Sequence, residues 1–126
     1  MKKSSAFAVC LLDDDPSVLK SVGRLLSSAD LRAETFSDCT EFLDYVRLHR
    51  PTVALVDVCM PQMSGLEVQS RLGQISPSTR VIIFTGNDDP LVRSTALNAG
   101  ASAFLTKPFC DEELLTAVRL ALVCTN

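Results

Sequence analysis

Val53-Ala54-Leu55-Val56-Asp57 is a run of four apolar residues that closes on a carboxylate. A wholly apolar run of this length, bounded by Pro51 and by the polar, Pro-containing stretch after Asp57, reads as a strand buried on both faces. Strands of that kind belong to parallel sheets covered by helices. The same pattern recurs outward from it. Residues 7–12 (Phe7 through Leu12) form a second apolar run, ending in Asp13-Asp14-Asp15. Residues 81–84 (Val81 through Phe84) form a third, ending in Thr85-Gly86. Residues 103–105 end in Thr106 and Lys107, and residues 31–36 supply a less apolar fifth strand.

Between the strands the period changes to that of helices. Pro16 opens one at its first turn, and Val18, Val22, Leu25, Leu26 and Ala29 recur at helical spacing. Ser37 or Asp38 caps a second helix carrying Phe42, Leu43 and Val46, with His49 near its end, where the helix dipole favours it. A third is expected over 65–75, with Leu66, Val68, Leu72 and Ile75 as its stripe. A fourth is expected over 90–99, capped by Asp88 or Asp89 and stopped by Gly100. The fifth runs over about 111–123, with Leu114, Leu115, Val118, Ala121 and Leu122 inward. Strand and helix thus alternate five times, which predicts a doubly wound α/β domain: a five-stranded parallel sheet with helices on both faces. Residues 1–126 are expected to form one domain, since 126 residues fill one hydrophobic core and no linker-like tract interrupts them.

Composition narrows the function classes. The chain is 47% apolar and 21% charged, with 15 acidic against 12 basic residues and a net charge of −3. That balance lacks the basic footprint that direct binding of nucleic acid requires. No apolar segment is long enough to span a membrane. Met1-Lys2-Lys3 is followed by no adequate apolar stretch, so a cytoplasmic protein is expected. The five cysteines (Cys10, Cys39, Cys59, Cys110, Cys124) form no C-x-x-C pair and read as small apolar fillers in a reducing compartment.

Chemistry collects at the strand ends. Ligands of doubly wound sheets bind at the carboxyl ends of the strands, where strand order reverses. Asp13, Asp14, Asp57, Thr85 and Lys107 all fall there. Grouped carboxylates repel unless a cation intervenes, and Mg²⁺ suits a site of few carboxylates completed by water and phosphate oxygen. A hydroxyl and an ammonium suit the equatorial oxygens of a phosphoryl group in transfer. Asp57, in the middle of the set, is the best-placed acceptor. Each residue also has a plainer reading: the Asp13–Asp15 run as a helix cap, Thr85-Gly86 as a turn, Lys107 as a solvated lysine before Pro108, and the Asp111-Glu112-Glu113 cluster as an acidic first turn.

The motifs Leu11-Leu12-Asp13-Asp14-Asp15, Asp57-Val58-Cys59-Met60-Pro61-Gln62-Met63-Ser64-Gly65, Phe84-Thr85-Gly86 and residues 99–109, ending Lys107-Pro108-Phe109, resemble the receiver domain of two-component response regulators over essentially the whole chain. The resemblance implies a flavodoxin-like, receiver-type fold and a regulatory phosphoacceptor, not an enzyme. Asp57 would be charged by the phosphohistidine of a sensor histidine kinase, in phosphorelay signalling. Asp13, Asp14, Asp57 and the backbone carbonyl of Cys59 would hold Mg²⁺. Thr85 and Lys107 would engage the phosphoryl group, Lys107-Pro108 would be cis, and Phe104 would relay the state of Thr85. Output would pass through the surface of the fourth helix, fifth strand and fifth helix, with homodimerisation there as one outcome.

Phe104 carries no hydroxyl, so its part in such a switch would rest on packing. Cys59 and Asn87 flank the phosphoryl position and imply an intermediate acyl-phosphate lifetime. The style of the first and fourth loops is similar to regulators with a C-terminal helix-turn-helix module; DNA contact and transcription control would then reside in a module outside this chain, which reads as an excised N-terminal domain. A dehalogenase-type phosphatase wants a second aspartate where Cys59 stands. A flavin-binding module wants a phosphate-cradling loop where the three aspartates stand.

Overall fold

Five strands pair in the order β2-β1-β3-β4-β5, all parallel, in a computed structural model that describes residues 8–123. The elements alternate along the chain as β1 (Val9–Leu12), α1 (Pro16–Ser28), β2 (Ala33–Phe36), α2 (Cys39–His49), β3 (Val53–Asp57), α3 (Gly65–Ile75), β4 (Arg80–Thr85), α4 (Pro90–Asn98), β5 (Ala103–Thr106) and α5 (Asp111–Val123). The expected doubly wound sheet is therefore the observed one. Phe7 and Cys124 lie outside the described residues.

The period of two in the strands sorts the core into two layers. Val9, Leu11, Val53, Leu55, Ile82 and Phe84 face Val22 and Leu26 of α1 and Leu114, Val118 and Ala121 of α5. Cys10, Leu12, Ala54, Val56, Ile83 and Phe104 face α2, α3 and α4 on the other side. β3 is buried along its whole length, as a central strand with no edge must be. Each fully buried Leu, Ile, Val or Phe contributes about 1.5–3 kcal/mol relative to exposure, so this sandwich supplies a stiff frame for the strand ends.

Local chemistry sets the boundaries. Asp15, Asp38, Ser64 and Asp89 cap α1 to α4, each side chain accepting a backbone N–H of the first turn. β2 begins at Ala33, not Leu31. Leu31 is used to close α1, donating its N–H to the Leu26 carbonyl (2.8 Å) after a left-handed Asp30. Gly100, at φ 100°, ends α4 as the sequence predicts.

The cysteines divide differently from the expectation. Cys10 and Cys39 are buried and free, and burial raises both thiol pKa values. Cys59 and Cys110 are exposed because they sit in the β3–α3 and β5–α5 loops, beyond the strands that fill the core. Among the described residues, no helix is long and apolar enough to cross a membrane.

Candidate functional site

Strand order reverses between β1 and β3: β1 leads to β2 on one side and β3 to β4 on the other. The crevice there is closed by the residues that end those strands. Asp13 follows β1 directly and is fully buried; its backbone N–H is held by the Phe36 carbonyl (3.1 Å) and its Oδ1 accepts the Asp15 N–H (2.9 Å). Asp57 ends β3 and is 3% exposed. Asp14 is exposed at the rim. Oxygens of these three carboxylates lie within 4.8 Å of one another. Asp15, by contrast, turns away to cap α1 through Ser17, so the plainer reading of the acidic run holds for that residue.

Two further residues arrive from β4 and β5. Lys107 follows β5 and places its Nζ 2.9 Å from Asp13 Oδ2 and 3.6 Å from Asp57 Oδ1, with its ammonium 5.0 Å from the Phe84 ring centre. The Lys107 N–H donates to the Thr85 carbonyl (2.7 Å), and the peptide to Pro108 is cis. Thr85 is 1% exposed, and its hydroxyl accepts the Asn87 N–H (3.2 Å). That bond uses the oxygen as acceptor, which leaves the hydroxyl proton free for another partner.

The electrostatics of this group are unbalanced. Three carboxylates face one ammonium, and Lys107 is committed first to Asp13. Asp57 Oδ1 is buried without a hydrogen-bond partner. Burial, reinforced by the charge of Asp13, pushes the Asp57 carboxyl up to about 6 against the pull of Lys107. Burial works to lower the Lys107 pKa, but its hydrogen bond to Asp13 and the charge of Asp57 outweigh that and raise it. An acidic pocket with an orphaned buried oxygen fits a hard divalent cation, which would satisfy Oδ1 and balance the charge.

The floor of the site is set by the glycine that ends the Asp57–Gly65 motif, for a reason the motif alone does not give. Gly65 opens α3 directly beneath Asp57. A Cβ there would press on the Asp57 carbonyl oxygen and come within 2.7 Å of the Val58 Cα. The Gly65 N–H donates to the Val58 carbonyl (2.8 Å), so helix and strand end are in contact through backbone alone. Gln62 ties the intervening loop to α2: its amide donates to the Asp38 carboxylate and its carbonyl accepts the Cys39 N–H (2.9 Å). Phe104 is buried on the α4 face of β5, paired in register with Ile83, and the Arg93 guanidinium lies over its ring at 4.8 Å.

The family model of the response regulator receiver domain matches residues 9–119. The chain belongs to that family. This receiver is 40% identical over 117 residues to the response regulator protein TodT of Pseudomonas putida, covering 93% of the present chain and 52% of TodT. It spans about half the length of the curated relatives it matches. Among solved structures it is similar to a response regulator receiver protein from Burkholderia phymatum, at 40% identity and a TM-score of 0.80, covering 93% of this chain and 96% of that one. It is also similar to the beryllofluoride-activated NtrC4 receiver domain dimer, at 27% identity and a TM-score of 0.87, covering 90% and 94% of the two chains. The receiver is thus one of the regulatory domains of two-component signalling, with the CheY-like fold.

Proposed function

We propose that this receiver is a phosphorylation-activated switch in which Asp57 accepts a phosphoryl group from the phosphohistidine of a sensor histidine kinase. The observation that carries the reading is the convergence of Asp13, Asp14 and Lys107 on an Asp57 carboxylate with one buried oxygen lacking a hydrogen bond. An Asp57 oxygen attacks phosphorus while the phosphorus–nitrogen bond to the donor imidazole breaks, its electron pair returning to nitrogen. The product is an acyl phosphate. Lys107 offers a positive charge to the phosphoryl oxygens, and Thr85 offers the hydroxyl proton left free by its bond to Asn87. Asp13, Asp14, Asp57 and the Cys59 carbonyl are the residues assigned to Mg²⁺, which when bound supplies charge neutralisation for the transferring group. Cys59 and Asn87 flank the acceptor and set how long the acyl phosphate lasts.

The output follows from the same residues. Thr85 draws toward the new charge, Phe104 repacks into the space it leaves, and the α4–β5–α5 surface changes its partner preference. Leu91 and Leu97 of α4 and Leu120 and Val123 of α5 are exposed apolar residues on those helices, suited to a homodimer contact. The beryllofluoride-activated NtrC4 receiver is a dimer, which supports homodimerisation as the form of the response. Residues 1–126 act as one receiver unit in the cytoplasm, and control of transcription through DNA is assigned to an output module outside them. Incubation with Mg²⁺ and a radiolabelled small-molecule phosphodonor should label the wild type with an alkali-labile acyl phosphate and leave Asp57→Asn unlabelled. Equal labelling of both would overturn the assignment.

A further inference from the structure

Helix α4 is attached to the domain unevenly. Ala96 is its one buried residue, 0% exposed and close to the C-terminal end. There the helix closes with paired bonds, Gly100 N–H to the Leu97 carbonyl and Ala101 N–H to the Ala96 carbonyl, both 3.0 Å. The Ala96 carbonyl then takes a second donor from outside the helix. Gln69 Nε2 of α3 donates to it at 3.0 Å, from a side chain that is itself only 6% exposed. A buried amide on the inner face of α3 costs desolvation, which only a bond of this kind offsets.

The N-terminal half of α4 contrasts with this. Residues 90–95 include no buried side chain, and Leu91 is 74% exposed. Val92 is partly buried against the core, Asp89 caps the helix from its own loop, and Arg93 lies over Phe104 while pairing with Asp88 at 3.4 Å. The same end is joined to Thr85 by residues 86–89 only, so any movement of Thr85 reaches it first.

We infer that Gln69 is a positioning residue that pins the C-terminal end of α4 at Ala96, making α4 a lever whose N-terminal half moves with Thr85 and Phe104. The inference rests on the proposed switch and adds where in α4 movement is allowed. Pro90 stands six residues from the pivot, roughly 9 Å along the axis at 1.5 Å per residue, so a small rotation about Ala96 displaces Leu91 and Arg93 while leaving the 96–101 turn in place.

Hydrogen exchange and NMR of the full chain, free and with beryllofluoride and Mg²⁺, test this. In the wild type the difference between the two states should fall on residues 86–93, with the Ala101 amide and the Gln69 side-chain amide protons unchanged. Gln69→Met keeps side-chain length and bulk but removes the donor. It should bind beryllofluoride with unchanged affinity, exchange about fivefold faster at residues 96–101, the worth of one net hydrogen bond, and spread the beryllofluoride response over all of α4. Equal wild-type responses at 90–93 and 96–101, or loss of the protected Gln69 amide signals on binding, would overturn the pin, as would wild-type exchange in the variant. If Gln69→Met does not fold, the wild-type comparison decides alone. A wild type that binds no beryllofluoride overturns the proposed switch instead; exchange at 96–101 in the unliganded variant then decides separately whether Gln69 pins the helix.

Discussion

Asp57 sits in a position that suits a partner better than it suits the free protein. Its neighbours Asp13 and Asp14 add negative charge, Lys107 leans toward Asp13, and the buried Oδ1 is left without a hydrogen bond, its ion pair with Lys107 stretched to 3.6 Å. The carboxyl pKa is raised to about 6, above the value of about 3.9 for an unfolded aspartate. A carboxyl whose folded value is raised adds no penalty below the unfolded value, and folding stability is lost as pH climbs from about 4 through about 6. Asp57→Asn should therefore leave the melting temperature of the metal-free protein unchanged near pH 4 and raise it above pH 6. Thermal scans across that range check the sign, and a variant less stable than wild type at pH 7 would contradict it. Added Mg²⁺ should raise the wild-type melting temperature at pH 7 and have little effect on the variant, because the stabilised species is the ionised cluster. The site carboxylates and Lys107 were readable from the chain because each ends a run of apolar residues. The left-over Oδ1 was not, since it depends on distances between four separate strands.

Helices α3 and α4 show how far an element can be read from its own residues. The expected bounds of α3, residues 65–75, match the structure, in which Ser64 caps the helix. Its buried set differs from the expected stripe: Val68, Gln69 and Leu72 are covered, whereas Leu66 and Ile75 are only partly so. The apolar period cannot foresee that a glutamine will be buried because a neighbouring helix ends beside it with a carbonyl to spare. Gly65 is a second case. Its lack of a side chain is required by the approach of α3 to the Asp57 backbone, a contact between two elements. Gly65→Ala should cost about 1–3 kcal/mol by overpacking, measured by denaturant unfolding. Because the atoms displaced belong to Asp57 and Val58, it should also slow acyl-phosphate labelling; full stability with normal labelling would show that the backbone yields freely there.

At the scale of the whole molecule, two core layers hold the five strands, and among the described helices the one with fewest buried residues is α4, beside Thr85 and Phe104. Stiff frame and loose element together suit a switch, because added charge at Asp57 meets little resistance at α4 and much elsewhere. Beryllofluoride with Mg²⁺ should shift the wild type toward a dimer in size-exclusion chromatography with light scattering. Lys107→Ala should still take up the phosphoryl group but respond weakly, since the charge no longer draws Thr85 and β5 together. A full shift in that variant would remove Lys107 from the coupling. Alternating apolar runs, their caps and the acids that close them determined the doubly wound sheet and which residues end its strands, because period and hydrophobicity are local properties of the chain. Only the tertiary structure decided which acid caps a helix and which faces the crevice, why Gly65 has no side chain, and which groups Gln69 and Arg93 meet. Those are contacts between residues that the fold, not the sequence order, makes neighbours.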